Sequence, residues 1–166
     1  LFFSLLLLST LGLFFLFSAS NLDLSLVLKQ MVYVIAGFII MILVSQPDPD
    51  IFRRTSGLLL IFALSLLGIT YLFGPEINGA QRWLRFGPFS FQSSELLKLA
   101  VPIFLANFLF DKKLPIQRKE IIISLLIIFC CFLIVFSQPD FGTALIIACS
   151  GLFVLFLSGL SWTFIG

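Results

Sequence analysis

There is no histidine in these 166 residues, and only 11% of them are Asp, Glu, Lys or Arg. The first absence removes imidazole-based triads, imidazole metal sites and His-ligated haem. The second, with a net charge of +2 and its basic residues dispersed, removes an extended nucleic-acid surface. Cysteine is scarce too: Cys130, Cys131 and Cys149 all lie in apolar runs, where they read as small packing side chains rather than a disulfide framework. The sequence identifies no cofactor and no metal site, and it leaves a divalent cation requirement open. What fills the chain is hydrocarbon: 60% of its residues are hydrophobic, 22 are Phe, and the mean hydropathy is +1.19. A soluble core has no room for that much apolar surface, so the composition describes a polytopic membrane protein.

Six apolar spans follow one another: Leu1 to Ser18, Gln30 to Val44, Ser56 to Phe73, Leu96 to Phe110, Ile121 to Phe136 and Ala144 to Leu160. The backbone must satisfy its own hydrogen bonds inside lipid, so the expected fold is all-α, one helical membrane domain over residues 1 to 166. The spans are 15 to 18 residues long, short of the roughly 20 that a bilayer needs, and Trp83 and Trp162 are placed to serve as interfacial flanks. No basic segment precedes the first span, which argues against a secretory signal. The chain opens inside a hydrophobic run without an initiating Met and stops without a polar tail, as expected of an internal piece of a longer protein.

The distribution of Lys and Arg gives an expected orientation. Arg53 and Arg54 follow the second span, and Lys112, Lys113, Arg118 and Lys119 follow the fourth; the opposite loops hold Lys29, Arg82 and Arg85. That bias places the amino end in the cytoplasm. It turns two polar segments outward on one membrane face, Asn78 to Glu95 and Ser137 to Thr143.

The first of these segments carries Arg82 and Arg85 around Trp83, then Glu95 and Lys98 at the start of the fourth span. Each charge at mid-membrane costs about 2.5 to 3.5 kcal/mol on insertion scales, and the apolar residues of this span return only about 3 to 6 in all. Both charges are therefore tolerable only if they pair, reach the interface or face a wet cavity. A spacing of i, i+3 allows them to pair, either as a structural ion pair or as part of a ligand site. Pro102, one turn on, removes a helix hydrogen bond and predicts a bend that opens space near the pair. Arg82 and Arg85 suit a surface anchor or a bidentate phosphate contact. Asp140 reads as an N-cap or as a charged contact to substrate. Ser45-Gln46-Pro47-Asp48 and Ser137-Gln138-Pro139-Asp140 repeat four residues and read as two helix boundaries rather than an inverted repeat.

The run Asn78-Gly79-Ala80-Gln81-Arg82-Trp83-Leu84, continued by Gly87-Pro88-Phe89-Ser90-Phe91-Gln92-Ser93-Ser94-Glu95-Leu96-Leu97-Lys98-Leu99-Ala100, resembles the signature of the SEDS membrane proteins, the RodA, FtsW and SpoVE family. Gln138-Pro139-Asp140-Phe141-Gly142-Thr143-Ala144 is similar to that family's second motif, and Ser150 to Trp162 resembles its RodA branch. One position departs: the family usually has Pro where Ser93 stands, leaving Ser93 or Ser94 as the expected cap of the fourth span.

The resemblance implies six transmembrane helices of about ten in a bacterial cytoplasmic membrane protein. It implies a peptidoglycan glycosyltransferase that polymerises lipid II, an undecaprenyl-pyrophosphate-linked disaccharide peptide, for cell elongation and rod shape. It also implies a class B penicillin-binding transpeptidase as partner. Arg82 and Lys98 then become candidates for stabilising the leaving group, with Glu95 orienting Lys98 and Asp140 shaping the cavity wall. The family's essential carboxylate is expected in an outer loop beyond Gly166, so no catalytic base is assigned within this chain, and residues 1 to 166 alone are expected to be inactive. Two other readings of the same residues are a lipid II flippase and a non-catalytic membrane scaffold for a transpeptidase.

Overall fold

The computed structural model describes residues 2–20, 23–76, 81–86, 89–112 and 116–159. Among them are six helices, α1 (Phe2–Ala19), α2 (Leu24–Ser45), α3 (Pro49–Phe73), α4 (Ser93–Phe110), α5 (Arg118–Phe136) and α6 (Phe141–Leu157), and two short strands, β1 (Trp83–Phe86) and β2 (Phe89–Gln92). Five of the helices are long and apolar enough to cross a membrane. The sixth, α6, has 17 residues, or about 26 Å at 1.5 Å per residue.

The chain forms two compact units, residues 1–48 and 49–166. In the first, α1 and α2 pack on each other, and neither has a buried residue. Phe2 and Phe38 meet edge to face at 5.5 Å between ring centroids. Asp23 caps α2 by accepting the Ser25 amide hydrogen at 2.8 Å. The Ser25 hydroxyl, then its amide, hold the Asp23 carboxyl below its ordinary value. Lys29 lies within α2 rather than in a loop.

In the second unit α4 is the central helix, packed against α3, α5 and α6. The buried positions step three or four residues at a time: Ser56, Leu60, Ala63, Leu67 and Thr70 on α3, and Ile121, Ser124, Ile128, Cys131 and Val135 on α5. This is a helix seam, hidden from a hydropathy reading because the opposite faces are apolar as well. Leu58, Phe62, Ile122, Leu126, Phe129 and Phe153 face outward, as they should where the surroundings are acyl chains. Of the three cysteines only Cys131 is a packing residue; Cys130 and Cys149 are exposed on the outer surface.

Polar groups are sorted along the length of the unit. Thr70, Ser93, Ser94, Gln138 and Thr143 are buried at the end carrying the hairpin, and Ser56 and Ser124 toward the other. The core between them is hydrocarbon, built from Leu60, Ala63, Leu67, Leu97, Ala100, Val101, Leu105, Ile128, Val135, Ala144 and Ile147, with Cys131 among them.

Five helix starts move outward from the spans read in sequence. α2 begins at Leu24 instead of Gln30, α3 at Pro49 instead of Ser56, α4 at Ser93 instead of Leu96, α5 at Arg118 instead of Ile121 and α6 at Phe141 instead of Ala144. Hydropathy sees only the part inside hydrocarbon, whereas a helix continues wherever its first turn is satisfied. On α3, Pro49 at the first position needs no hydrogen-bond acceptor for its nitrogen, and Asp50 reaches Arg53 at 3.3 Å. Arg53 also lies 4.3 Å from the centroid of the Phe110 ring, tying the start of α3 to the end of α4. Both Ser-Gln-Pro-Asp copies mark helix boundaries: α2 ends at Ser45 before α3, and α5 ends at Phe136 before α6.

α4, α5 and α6 pack tightly against one another at Gly151 on α6. A Cβ there would stand 2.7 Å from Ile128 Cγ1 and 3.2 Å from Leu105 Cδ1. Glycine lets three helices meet at one level. Gly151→Leu is expected to destabilise the second unit by about 1–3 kcal/mol through overpacking. Ile128→Ala in the same chain should recover part of that loss. Thermal unfolding in detergent micelles measures both, and an unchanged midpoint for Gly151→Leu would refute this packing account.

Candidate functional site

The polar block between α3 and α4, read in sequence as an irregular loop, contains an antiparallel hairpin. Trp83 pairs with Gln92, Leu84 with Phe91, Arg85 with Ser90 and Phe86 with Phe89. Residues 77–80, 87 and 88, with Asn78, Gly79, Gly87 and Pro88 of the motif, lie outside the described residues, as do the side chain of Arg85, Lys113 and Trp162. Phe89-Ser90-Phe91-Gln92 alternates apolar and polar, the period of a strand, and that alternation was the available signal.

Alternation sends Gln92 to one side of β2. Its Nε2 donates to Asp140 Oδ2 at 2.7 Å and to Ser94 Oγ at 3.0 Å. Asp140 in turn caps α6, with Oδ1 accepting the Thr143 amide hydrogen at 3.3 Å. Arg82, which precedes Trp83 and so lies at the same open end of the hairpin, donates from Nε to the Gln138 carbonyl at 2.8 Å and from Nη2 to the Pro139 carbonyl at 2.7 Å. The two polar segments that sequence reading assigned to one face thus meet at one end of the bundle. Together they brace the starts of α4 and α6 against the α5–α6 turn.

Lys98 Nζ and Glu95 Oε1 form an ion pair at 2.8 Å. Lys98, the deeper partner, is 23% exposed in its side chain, and Glu95, at the first turn of α4, is 50% exposed. Neither is sealed away. Both line an open groove of about 530 Å³ whose other walls are Phe91 from β2, Leu96 and Leu99 from α4 and Ile146 from α6. α4 continues through Pro102 without ending. Pro102 has no N–H to give the Lys98 carbonyl four residues earlier.

The four substrate-binding candidates therefore separate. Glu95 and Lys98 are in the groove, while Arg82 and Asp140 are in the brace behind it, and Asp140 is not among the groove-lining residues. Arg82 has at least two of its five N–H groups engaged with backbone carbonyls. Gln92 and Phe91 join the site although neither stood out in sequence. Chemically the groove offers a cation with its counter-ion at one side and an apolar wall at the other, which matches an anionic head group carried on a hydrocarbon chain.

The expected serine cap is absent: α4 is preceded by Gln92, which makes no side-chain cap bond, and Ser93 is the first helical residue. Ser93 Oγ is buried without a hydrogen-bond partner among the described residues.

Fold and site define a class, a polytopic helical membrane protein with an ion pair opening on an amphipathic groove at one end of its bundle. The Cell cycle protein family of FtsW, RodA and SpoVE matches residues 1–166, and the chain belongs to that family. It is 41% identical over 149 residues to the peptidoglycan glycosyltransferase MrdB of Escherichia coli K12, covering 90% of this chain and 40% of that protein. It is 33% identical over 132 residues to the peptidoglycan glycosyltransferase RodA of Treponema pallidum, covering 80% and 30% respectively. The chain thus spans two fifths or less of the length of these curated relatives. The crystal structure of Thermus thermophilus RodA superimposes with a TM-score of 0.87 at 29% identity, over 96% of this chain and 53% of that one. A chain from a peptidoglycan synthase complex that coordinates polymerization and crosslinking gives 0.88 at 28%, over 98% and 48%.

Ser93→Pro is expected to stabilise the chain. Proline is favoured at the first helical position, and Gln92 before it already has the extended backbone that a following proline requires, at φ −96° and ψ 115°. The change also deletes an orphaned buried hydroxyl. A gain of about 0.4–1 kcal/mol is expected, read as a higher unfolding midpoint in micelles; a lower midpoint would contradict the backbone geometry given for Gln92.

Proposed function

We propose that this chain is the amino-terminal part of a peptidoglycan glycosyltransferase that polymerises lipid II at the outer face of the bacterial cytoplasmic membrane, for cell elongation and rod shape. The observation that carries the reading is the Glu95–Lys98 pair at the mouth of an amphipathic groove. A lipid-linked diphosphate leaves as an anion when an acceptor hydroxyl attacks the anomeric carbon. Lys98 supplies positive charge where that anion develops, in surroundings of low dielectric where such a contact is strongest. Glu95 orients Lys98. Arg82 and Asp140 act from behind, by fixing the hairpin and the start of α6. The family resemblance assigns the base that deprotonates the acceptor to a carboxylate outside residues 1–166.

The orientation that goes with this reading has the hairpin outward and the amino end in the cytoplasm. Arg53, Arg54 and Lys112 stand at the opposite end of the second unit from the hairpin, which supports it. A class B transpeptidase is the proposed partner, supported by the likeness to a chain of a synthase complex that couples polymerization to crosslinking.

A flippase would need a polar path through the bilayer. The middle of the second unit is apolar from α3 to α6, which favours transfer at one surface over passage through this unit.

Full-length protein in micelles, where no membrane separates two compartments, should form glycan polymer from lipid II. Lys98→Met should lower that rate by about 10²-fold, and Glu95→Gln by less, with unfolding midpoints retained. Polymer formation that survives Lys98→Met would overturn the role given to the groove. Translocation in vesicles without polymer in micelles would replace the transferase by a transporter.

A further inference from the structure

We propose that Phe91 is a specificity-determining residue of the groove, its ring receiving the apolar face of a pyranose attached to the phosphate that Lys98 holds. The inference rests on the reading above and adds the part of the ligand that its ion pair does not address. Side chains on a strand alternate, so with Gln92 directed to Asp140 and Ser94, Phe91 projects to the opposite side, where it lines the groove beside Glu95 and Lys98. The ring does not float, because Arg82 and Gln92 anchor the open end of the hairpin, where Phe91 lies, to the α5–α6 turn and the start of α6.

The groove is divided by chemistry. Leu96, Leu99 and Ile146 form hydrocarbon suited to a polyprenyl chain, and Glu95 with Lys98 forms the polar centre. Phe91 comes from the hairpin, beyond the start of α4, and is 41% exposed. Interfacial anchoring is the ordinary task of Trp and Tyr, whose rings carry a polar edge; Phe has none. An open aromatic face lining the same groove as a phosphate-directed cation suits a sugar instead. The C–H bonds on one side of a pyranose are weakly positive and lie flat on the electron-rich face of a ring. The volume, about 530 Å³, lies in the range of small-molecule pockets, room for a head group rather than for the whole lipid.

The test uses full-length protein in nanodiscs with two probes, polyprenyl diphosphate and the same lipid bearing a disaccharide. Phe91→Leu should weaken binding of the sugar-bearing lipid about tenfold and leave the sugar-free lipid within about twofold, while Phe91→Tyr retains both. Retained binding of the sugar-free lipid reports that the variant is folded; if Phe91→Leu does not fold, Phe91→Met makes the same comparison. Equal losses for both probes, or no loss for either, would overturn the assignment. Lys98→Met tests the underlying groove separately: it should weaken both probes. If it weakens neither while Phe91→Leu still discriminates, the diphosphate reading fails and the sugar contact stands.

Discussion

A peptide group inside hydrocarbon has nothing to bond with but another peptide group. That constraint makes helices of the apolar runs and pushes every irregular stretch of backbone to the ends of the bundle, where water or side chains can satisfy it. In the second unit it also sorts the side chains. Buried hydroxyls and amides gather at the ends, and the middle is closed by Leu, Ile, Val and Ala. The hairpin is the one strand pairing among the described residues, and it sits at such an end, held there by side chains rather than by a wider sheet.

The hairpin needs that holding. Two four-residue strands have little stability alone, and the links that fix them, Arg82 to two carbonyls and Gln92 to Asp140, are hydrogen bonds from side chains whose acceptors lie 48 to 57 residues away. Two of these links join the same turn, and the third ends on the carboxylate that caps α6. Asp140 therefore serves two elements at once: it satisfies an orphan amide of its own helix and receives the amide of Gln92. Replacing it would loosen the start of α6 and the hairpin together, and with them the distance between Phe91 and Ile146 across the groove.

Much of this was legible in the residues, and the rest was hidden for identifiable reasons. Six helices, the pairing of Glu95 with Lys98 and the two boundary copies of Ser-Gln-Pro-Asp followed from hydropathy, helical spacing and proline chemistry. Helix starts were misplaced because charged first turns such as Asp50 to Arg54 sit outside hydrocarbon yet remain helical. The seam on α3 was invisible because Leu58 and Phe62, facing lipid, are as apolar as Leu60 and Ala63, facing α4. Arg82 shows a different limit. Its charge and spacing suggested a phosphate contact, but its acceptors are carbonyls of Gln138 and Pro139, and no local pattern identifies a partner more than fifty residues away. The resemblance to the SEDS family gave the right relatives without distinguishing brace from groove.

The division between brace and groove bears on how a membrane site can hold a strong anion without a permanent cage of cations. A cluster of unpaired Lys and Arg beside hydrocarbon would be costly to assemble and would repel itself. Here a single lysine is paired with its own glutamate, and the accessible partner of the pair is the acid. On the proposed function an arriving diphosphate competes with Glu95 for Lys98, and Glu95, half exposed, turns toward water or toward a ligand hydroxyl. On that reading the pair holds Lys98 until substrate exchanges with it. Positional accuracy then comes from the hydrogen bonds of Arg82 and Gln92 and the N-cap at Asp140, whose partners are groups of the protein itself. Such an arrangement keeps the ion pair at the hairpin end of the bundle and leaves the apolar interior undisturbed.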